Sequence, residues 1–149
     1  MLELDLEKAQ FLVDQAIKQK GEEYVYEKDE YGNCSYVHYE EIVVGGPDEW
    51  GDVQKEPDLG TCKMGCLVGA ALIKGGIAPE WFVESGMNTE SAADVLSSLN
   101  RHGLISYTEE AERYLSRLQE SQDKGAPWRI ADALSRSGEV WVRPQVGIL

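Results

Sequence analysis

Gly65-Cys66-Leu67-Val68-Gly69-Ala70-Ala71-Leu72-Ile73, closed by Lys74-Gly75-Gly76, is the stretch that decides how this chain folds. It is apolar on nearly every side, and a helix apolar all round has to be buried. The apolar run, Cys66 to Ile73, is eight residues long including a glycine, against about 20 for a membrane span. It therefore reads as a short central helix, the hub of a globular core. Gly65 and Gly69 stand four apart, so two positions without a Cβ share one helix face. A neighbouring segment is expected to approach closely there.

Downstream of the hub the periodicity stays helical. Pro79 suits the first turn of a short helix carrying Trp81, Phe82 and Val83. Asn88 or Thr89 can cap the next one, whose Ala92, Val95, Leu96 and Leu99 keep spacings of three and four; Gly103 then ends it, with Leu104 packing back. Ser106-Tyr107-Thr108-Glu109 matches a capping box. It opens a helix with Ala111, Tyr114, Leu115 and Leu118 on one face. Gly125-Ala126-Pro127 breaks that helix, and Trp128, Ile130, Ala131 and Leu134 belong to a last one closing at Gly138. Residues 62–138 thus form a helical core, and 139–149 a strand-like tail (Val140-Trp141-Val142) able to pair with a sheet edge.

Upstream, residues 1–21 read as a helix on Leu6, Ala9, Leu12, Val13, Ala16 and Ile17. Glu3, Asp5 and Glu7 lead it, Lys18 and Lys20 trail it, and Gly21 stops it. From Tyr24 the period changes to two. Tyr24-Val25-Tyr26, Tyr31-Gly32-Asn33, Tyr36-Val37 and Tyr39, then Ile42-Val43-Val44, predict a β-hairpin over 24–44. Residues 45–61, rich in Gly, Pro and acids, read as an irregular loop, ordered if Trp50 reaches the core. The expected class is α+β and mainly helical: one domain of five to six helices around the central one, with a small antiparallel sheet.

Charge is uneven. The net charge is −13, of which residues 1–60 hold −11 (16 acids, 5 lysines) and residues 61–149 only −2. An acidic surface repels phosphate backbones, so direct nucleic-acid binding is not expected. Three cysteines, Cys34, Cys62 and Cys66, make an odd, sparse set suited to a reducing compartment. Met1-Leu2-Glu3-Leu4-Asp5 lacks the basic start and apolar stretch of a signal peptide. The expectation is a cytoplasmic chain without a membrane segment.

Catalytic patterns do not assemble. Gly60 to Gly65 has phosphate-loop spacing, but Cys66-Leu67 follows where Lys and a hydroxyl are needed. There is no Gly-x-Ser-x-Gly elbow, and His38 and His102 are the two histidines. His102, beside Arg101, suits a helix C-cap. His38-Tyr39-Glu40 with Cys62 and Cys66 has the residue types of a zinc deaminase. However, the spacing is Cys-x-x-x-Cys with no preceding proline, which favours small buried residues over metal ligands. No cofactor or metal is expected.

Cys66-Leu67-Val68-Gly69-Ala70-Ala71 and Gln122-Asp123-Lys124-Gly125-Ala126-Pro127-Trp128-Arg129-Ile130-Ala131 together resemble a family of small uncharacterised proteins of actinobacterial phages and their hosts, over roughly residues 60–135. Members carry an Asn-Asp pair where Leu99-Asn100-Arg101-His102 stands here. The resemblance brings no activity and no site residues, and the shared motifs read as packing devices. What it implies is a phage protein in the host cytoplasm; the missing active site, the uneven charge and the tyrosine enrichment make the expected role that of a non-enzymatic accessory protein. The partner-binding surface is expected on the acidic, tyrosine-rich segment: Tyr24, Tyr26, Glu27, Asp29, Glu30, Tyr31, Tyr36, Tyr39, Glu40, Glu41 and Trp50. The expected partner is a host protein. Alternatives are a DNA mimic and a metal-dependent enzyme, and an exposed strand edge also allows a homodimer.

Overall fold

The structure, a computed structural model, describes residues 1–27 and 34–144. In chain order the elements are β1 (Leu2–Leu4), α1 (Leu6–Lys20), β2 (Val37–Val44), β3 (Gln54–Met64), α2 (Leu67–Lys74), α3 (Pro79–Glu84), α4 (Ala92–Arg101), β4 (Ile105–Tyr107), α5 (Glu109–Asp123) and α6 (Trp128–Arg136). The fold is α+β and mainly helical, with two two-stranded sheets among the described residues: β1 parallel to β4, and β2 antiparallel to β3.

As its composition requires, α2 sits at the centre, with Leu67 to Leu72 all buried. A buried helix start is demanding, because its first N–H groups have no intrahelical partners. Here each partner comes from a different element. The Cys66 N–H donates to the Ser35 carbonyl (2.9 Å), the Leu67 N–H to Gln122 Oε1 (2.7 Å), and the Gly69 N–H to the Cys66 thiol (3.4 Å). One residue earlier the Gly65 N–H donates to the Tyr36 carbonyl at 2.9 Å.

The close approach expected at the two glycines is therefore made by backbone. A Cβ on Gly69 would overlap the Tyr36 carbonyl oxygen and lie 2.8 Å from its Cα; one on Gly65 would overlap the Ser35 carbonyl oxygen. Tyr36 is itself fully buried and stacks on Phe82 of α3 with ring centroids 5.3 Å apart. Its hydroxyl donates to the Glu90 carbonyl (2.8 Å) and accepts from Gln119 Nε2 of α5 (2.7 Å).

The motif from Gln122 to Trp128 closes the other side. Gln122 Oε1, already holding Leu67, also accepts from the Trp128 indole at 3.1 Å. Gly125 takes φ +101°, a left-handed turn that lets α6 fold back so that Trp128 is fully buried. Tyr24 meets that indole edge-on at 4.6 Å. Around this centre α1 buries Ala9, Leu12, Val13, Ala16 and Ile17, as its spacing predicts, and Asp5 caps it by accepting from the Lys8 N–H (2.7 Å).

Several expectations are corrected. The partner of β2 is not Tyr24–Tyr26, which form no strand, but Gln54–Met64, which the sequence reading made largely loop. β3 was invisible because its distal half is exposed on both faces, so no apolar alternation marks it. The Gly32-Asn33 turn lies outside the described residues. Residues 141–144 form no strand; instead Trp141 packs on the core and its N–H donates to Ser121 Oγ (2.9 Å). α4 is capped by Ser91 rather than Asn88 or Thr89. Ser106-Tyr107 belongs to β4, so Thr108 alone caps α5, through the Ala111 N–H.

Gly69→Ala should lower unfolding stability by about 2–3 kcal/mol, since the new methyl meets backbone that has nowhere to move. Gly46→Ala, with open space around its Cβ, should stay within about 0.5 kcal/mol; urea titration of both checks this. By the same measurement Gln122→Leu, which strips two buried donors of their acceptor, should cost about 1–3 kcal/mol for each.

Candidate functional site

Of the eleven residues expected to form a binding strip, eight are described, and four of these are exposed. Tyr36 and Tyr26 are buried. The Tyr26 hydroxyl accepts from the Ser35 N–H (3.0 Å) and lies 3.1 Å from Nε2 of His38, on whose ring it stacks. Tyr24 and Tyr39 are half-buried against the core. Asp29, Glu30 and Tyr31 lie outside the described residues. Glu27, Glu40, Glu41 and Trp50 remain exposed. Tyr24, Tyr26 and Tyr36 thus reach the core from irregular backbone, and Tyr39 packs against it from β2.

What the structure presents instead is a ribbon. The roots of β2 and β3 pack on α2 and α3, while Glu40–Val44 and Gln54–Asp58 stand clear, linked by Gly45–Val53. From Glu40 to Asp58 there are seven acidic residues and one lysine, Lys55, a net charge of −6. The register sorts these charges. Glu40 faces Asp58, Ile42 faces Glu56 and Val44 faces Gln54 on one side; Glu41 faces Pro57 and Val43 faces Lys55 on the other. Directly opposed residues share a face, so Glu40, Glu56 and Asp58 make one face acidic without a cation. Glu41 and Lys55 balance on the other.

The tip is ordered without any help from the core. Asp48 Oδ1 accepts from the backbone N–H groups of Trp50 and Asp52, each at 2.9 Å. The Asp48 N–H donates to the Asp52 carbonyl (2.9 Å) and the Gly51 N–H to the Asp48 carbonyl (3.0 Å). An aspartate that pins the backbone two residues on is a strong turn former. The result holds Trp50 outward with 80% of its surface exposed; Ile42 (47%), Val43 (56%) and Val53 (46%) of the same ribbon are exposed as well. Trp50, expected among the partner-binding residues, does not reach the core; its turn is held by the hydrogen bonds of Asp48 instead. Ile42, Val43, Glu56 and Asp58 were not singled out, and only the strand register could have grouped them.

The thiols of Cys62 and Cys66 are both shifted away from the thiolate form. Burial pushes the Cys66 thiol up to about 12, outweighing the hydrogen bonds it accepts from Gly69 and Val68. Cys62, on β3 rather than on a helix with Cys66, is raised by burial and by the carboxylates of Glu80, Asp58 and Glu84. Both shifts oppose thiolate formation. His102 is the C-cap of α4, with Nδ1 2.7 Å from the Ser98 carbonyl. No group of three or more His, Cys, Asp or Glu is placed to hold a metal among the described residues. An open groove of about 1110 Å³ runs between β1 and the turn from α2 to α3, lined by Leu2, Glu3, Lys8, Glu80, Trp81 and Leu104. It gathers no histidine or cysteine. Among the described residues no helix is long and apolar enough to cross a membrane.

Two measurements check this division between core and surface. Trp50→Ala should leave stability within about 0.5 kcal/mol of the parent, whereas Trp128→Ala should lose about 3–5 kcal/mol. In a timed iodoacetamide pulse at pH 8, Cys66, with none of its surface exposed, should label after the half-buried Cys62 and only on unfolding. Labelling should accelerate as pH rises.

Compared with family models, with curated proteins and with solved structures, the chain matches none.

Proposed function

We propose that this chain is a non-enzymatic accessory protein that binds another protein through the distal half of its ribbon. Trp50 is the anchor, and the surrounding carboxylates select a basic surface. The observation that carries the reading is the tip itself: a tryptophan 80% exposed, on a turn held by four hydrogen bonds. Tryptophan is enriched among residues that dominate binding energy. A pre-ordered turn also reduces the ordering cost that binding would otherwise carry. Assignment to a bacteriophage, with a host protein as partner, rests on the resemblance of the Cys66–Ala71 and Gln122–Ala131 segments.

DNA mimicry has less support. The ribbon's acidic face groups Glu40, Glu56 and Asp58 in one patch, whereas a duplex presents two phosphate rows.

Affinity capture from an actinobacterial lysate, comparing the parent with Trp50→Ala and with a Glu40→Gln, Glu56→Gln, Asp58→Asn variant, tests the proposal. The expected outcome is one protein enriched by the parent alone, its purified complex weakened about 30-fold by Trp50→Ala and weakened further by salt. Identical capture by all three baits would sink it. Competition by duplex DNA for the captured protein's site would favour mimicry instead.

A further inference from the structure

We propose that the outer edge of β2, from Tyr39 to Val44, accepts an added β-strand from an extended basic segment of the partner protein. This rests on the ribbon being the binding element and specifies how it binds. β2 and β3 form a two-stranded sheet, so each carries a row of backbone groups that no strand among the described residues pairs.

The two edges are not equivalent. At its root, the outer edge of β2 is closed by an asparagine acting as a one-residue strand. The Val37 N–H donates to Asn88 Oδ1 (2.9 Å), and Asn88 Nδ2 donates back to the Val37 carbonyl (3.1 Å). This sets the parity of the strand. If Val37 faces outward, so do Tyr39, Glu41 and Val43, since backbone groups alternate. Glu40 agrees, because its N–H points inward to Thr61 Oγ1 of β3 at 2.8 Å. Beyond Asn88 no backbone partner occupies this edge among the described residues, and Glu40 to Val43 are exposed.

The outer edge of β3 is blunted. Pro57 stands opposite Glu41, an outward position, so its missing N–H falls on the outer side. Lys55 stands nearby, and the pairing is irregular between His38 and Glu40. Proline, lysine and irregularity are the devices that protect an edge from pairing. β2 has none of them between Glu40 and Val44: its residues there are Glu-Glu-Ile-Val-Val.

Charge selects the occupant. Glu40 lies directly opposite Asp58 with Glu56 on the same face, a like-charge arrangement that disfavours the ribbon alone. A strand laid against β2 with lysine or arginine at alternate positions would place cations beside Glu40, and its intervening apolar residues would lie beside Val43. A second copy of this ribbon would bring another −6 and is disfavoured.

The probe is an alternating lysine–valine hexapeptide, its control the same peptide with each valine N-methylated. Hydrogen exchange by NMR on the full chain is the readout. The lysine–valine peptide should slow the amides of Glu41 and Val43 at least about tenfold and leave those of Glu40 and Ile42 unchanged; the methylated peptide should protect less. Val43→Pro removes one outward donor as Pro57 does on β3, and should weaken binding while the Glu40 amide keeps its protection. Equal binding of both peptides without protection at Glu41 and Val43 would overturn strand addition yet leave a charge-driven ribbon contact standing. Protection on β3, concentration-dependent protection without peptide, or no binding would each also overturn it. A positive result alongside identical capture by the Trp50→Ala bait would instead remove the anchor role of Trp50 alone.

Discussion

Everything in this molecule leans on the contact between two glycines and one stretch of backbone. The Ser35 and Tyr36 carbonyls accept from Gly65 and Cys66 across a gap that admits no Cβ at Gly65 or Gly69. That contact seats the first turn of α2, and α2 is the surface on which α1, α5 and β3 pack. It also draws Tyr36 inward, and through its ring and hydroxyl ties α3, the turn before α4, and α5 to the same point. Interiors packed to crystal density do not absorb such a contact gradually.

A second knot, Gln122, sits on the other side of the helix start. One side-chain oxygen takes the Leu67 N–H and the Trp128 indole, so α5, α2 and α6 meet at a single acceptor. This explains in physical terms why a glutamine stands six residues before a tryptophan with a glycine and a proline between: reach, left-handed turn, helix entry and donor occur in that order. Both the Cys66–Ala71 and the Gln122–Ala131 segments are packing devices in this chain.

Much of the helical architecture is legible from residue spacing because its signal is local. The apolar face of α1, the all-apolar α2, Pro79 opening α3 and the breaker at Gly125 all announce themselves within one or two turns. The strands were harder to read. β1 and β4 are three residues each and pair across a hundred positions of sequence, too short for a periodic signal. β3 contains Lys55, Glu56, Pro57, Asp58 and Gly60, residues depleted in strands; it is held by its ladder to β2 rather than by burial. The tyrosines pointed the other way, to a sheet face, because an aromatic at alternate positions looks the same whether it lines a strand or plugs a core from irregular chain. Of the candidate surface, the acidity was legible, whereas its one-sidedness required the register.

Both legs of the ribbon enter the body at one place. β2 begins at Val37, directly after Tyr36, and β3 ends at Met64, directly before Gly65, so the ribbon's root is the glycine contact. An arm hung on loops would swing, but this one is built into the most tightly toleranced part of the core. On the proposed reading, a partner held by the tip would sit at a set bearing to the helical body, like cargo on a mast rather than on a tether. The body can then act as an obstruction of defined position, covering neighbouring surface on the bound molecule that the ribbon itself never touches.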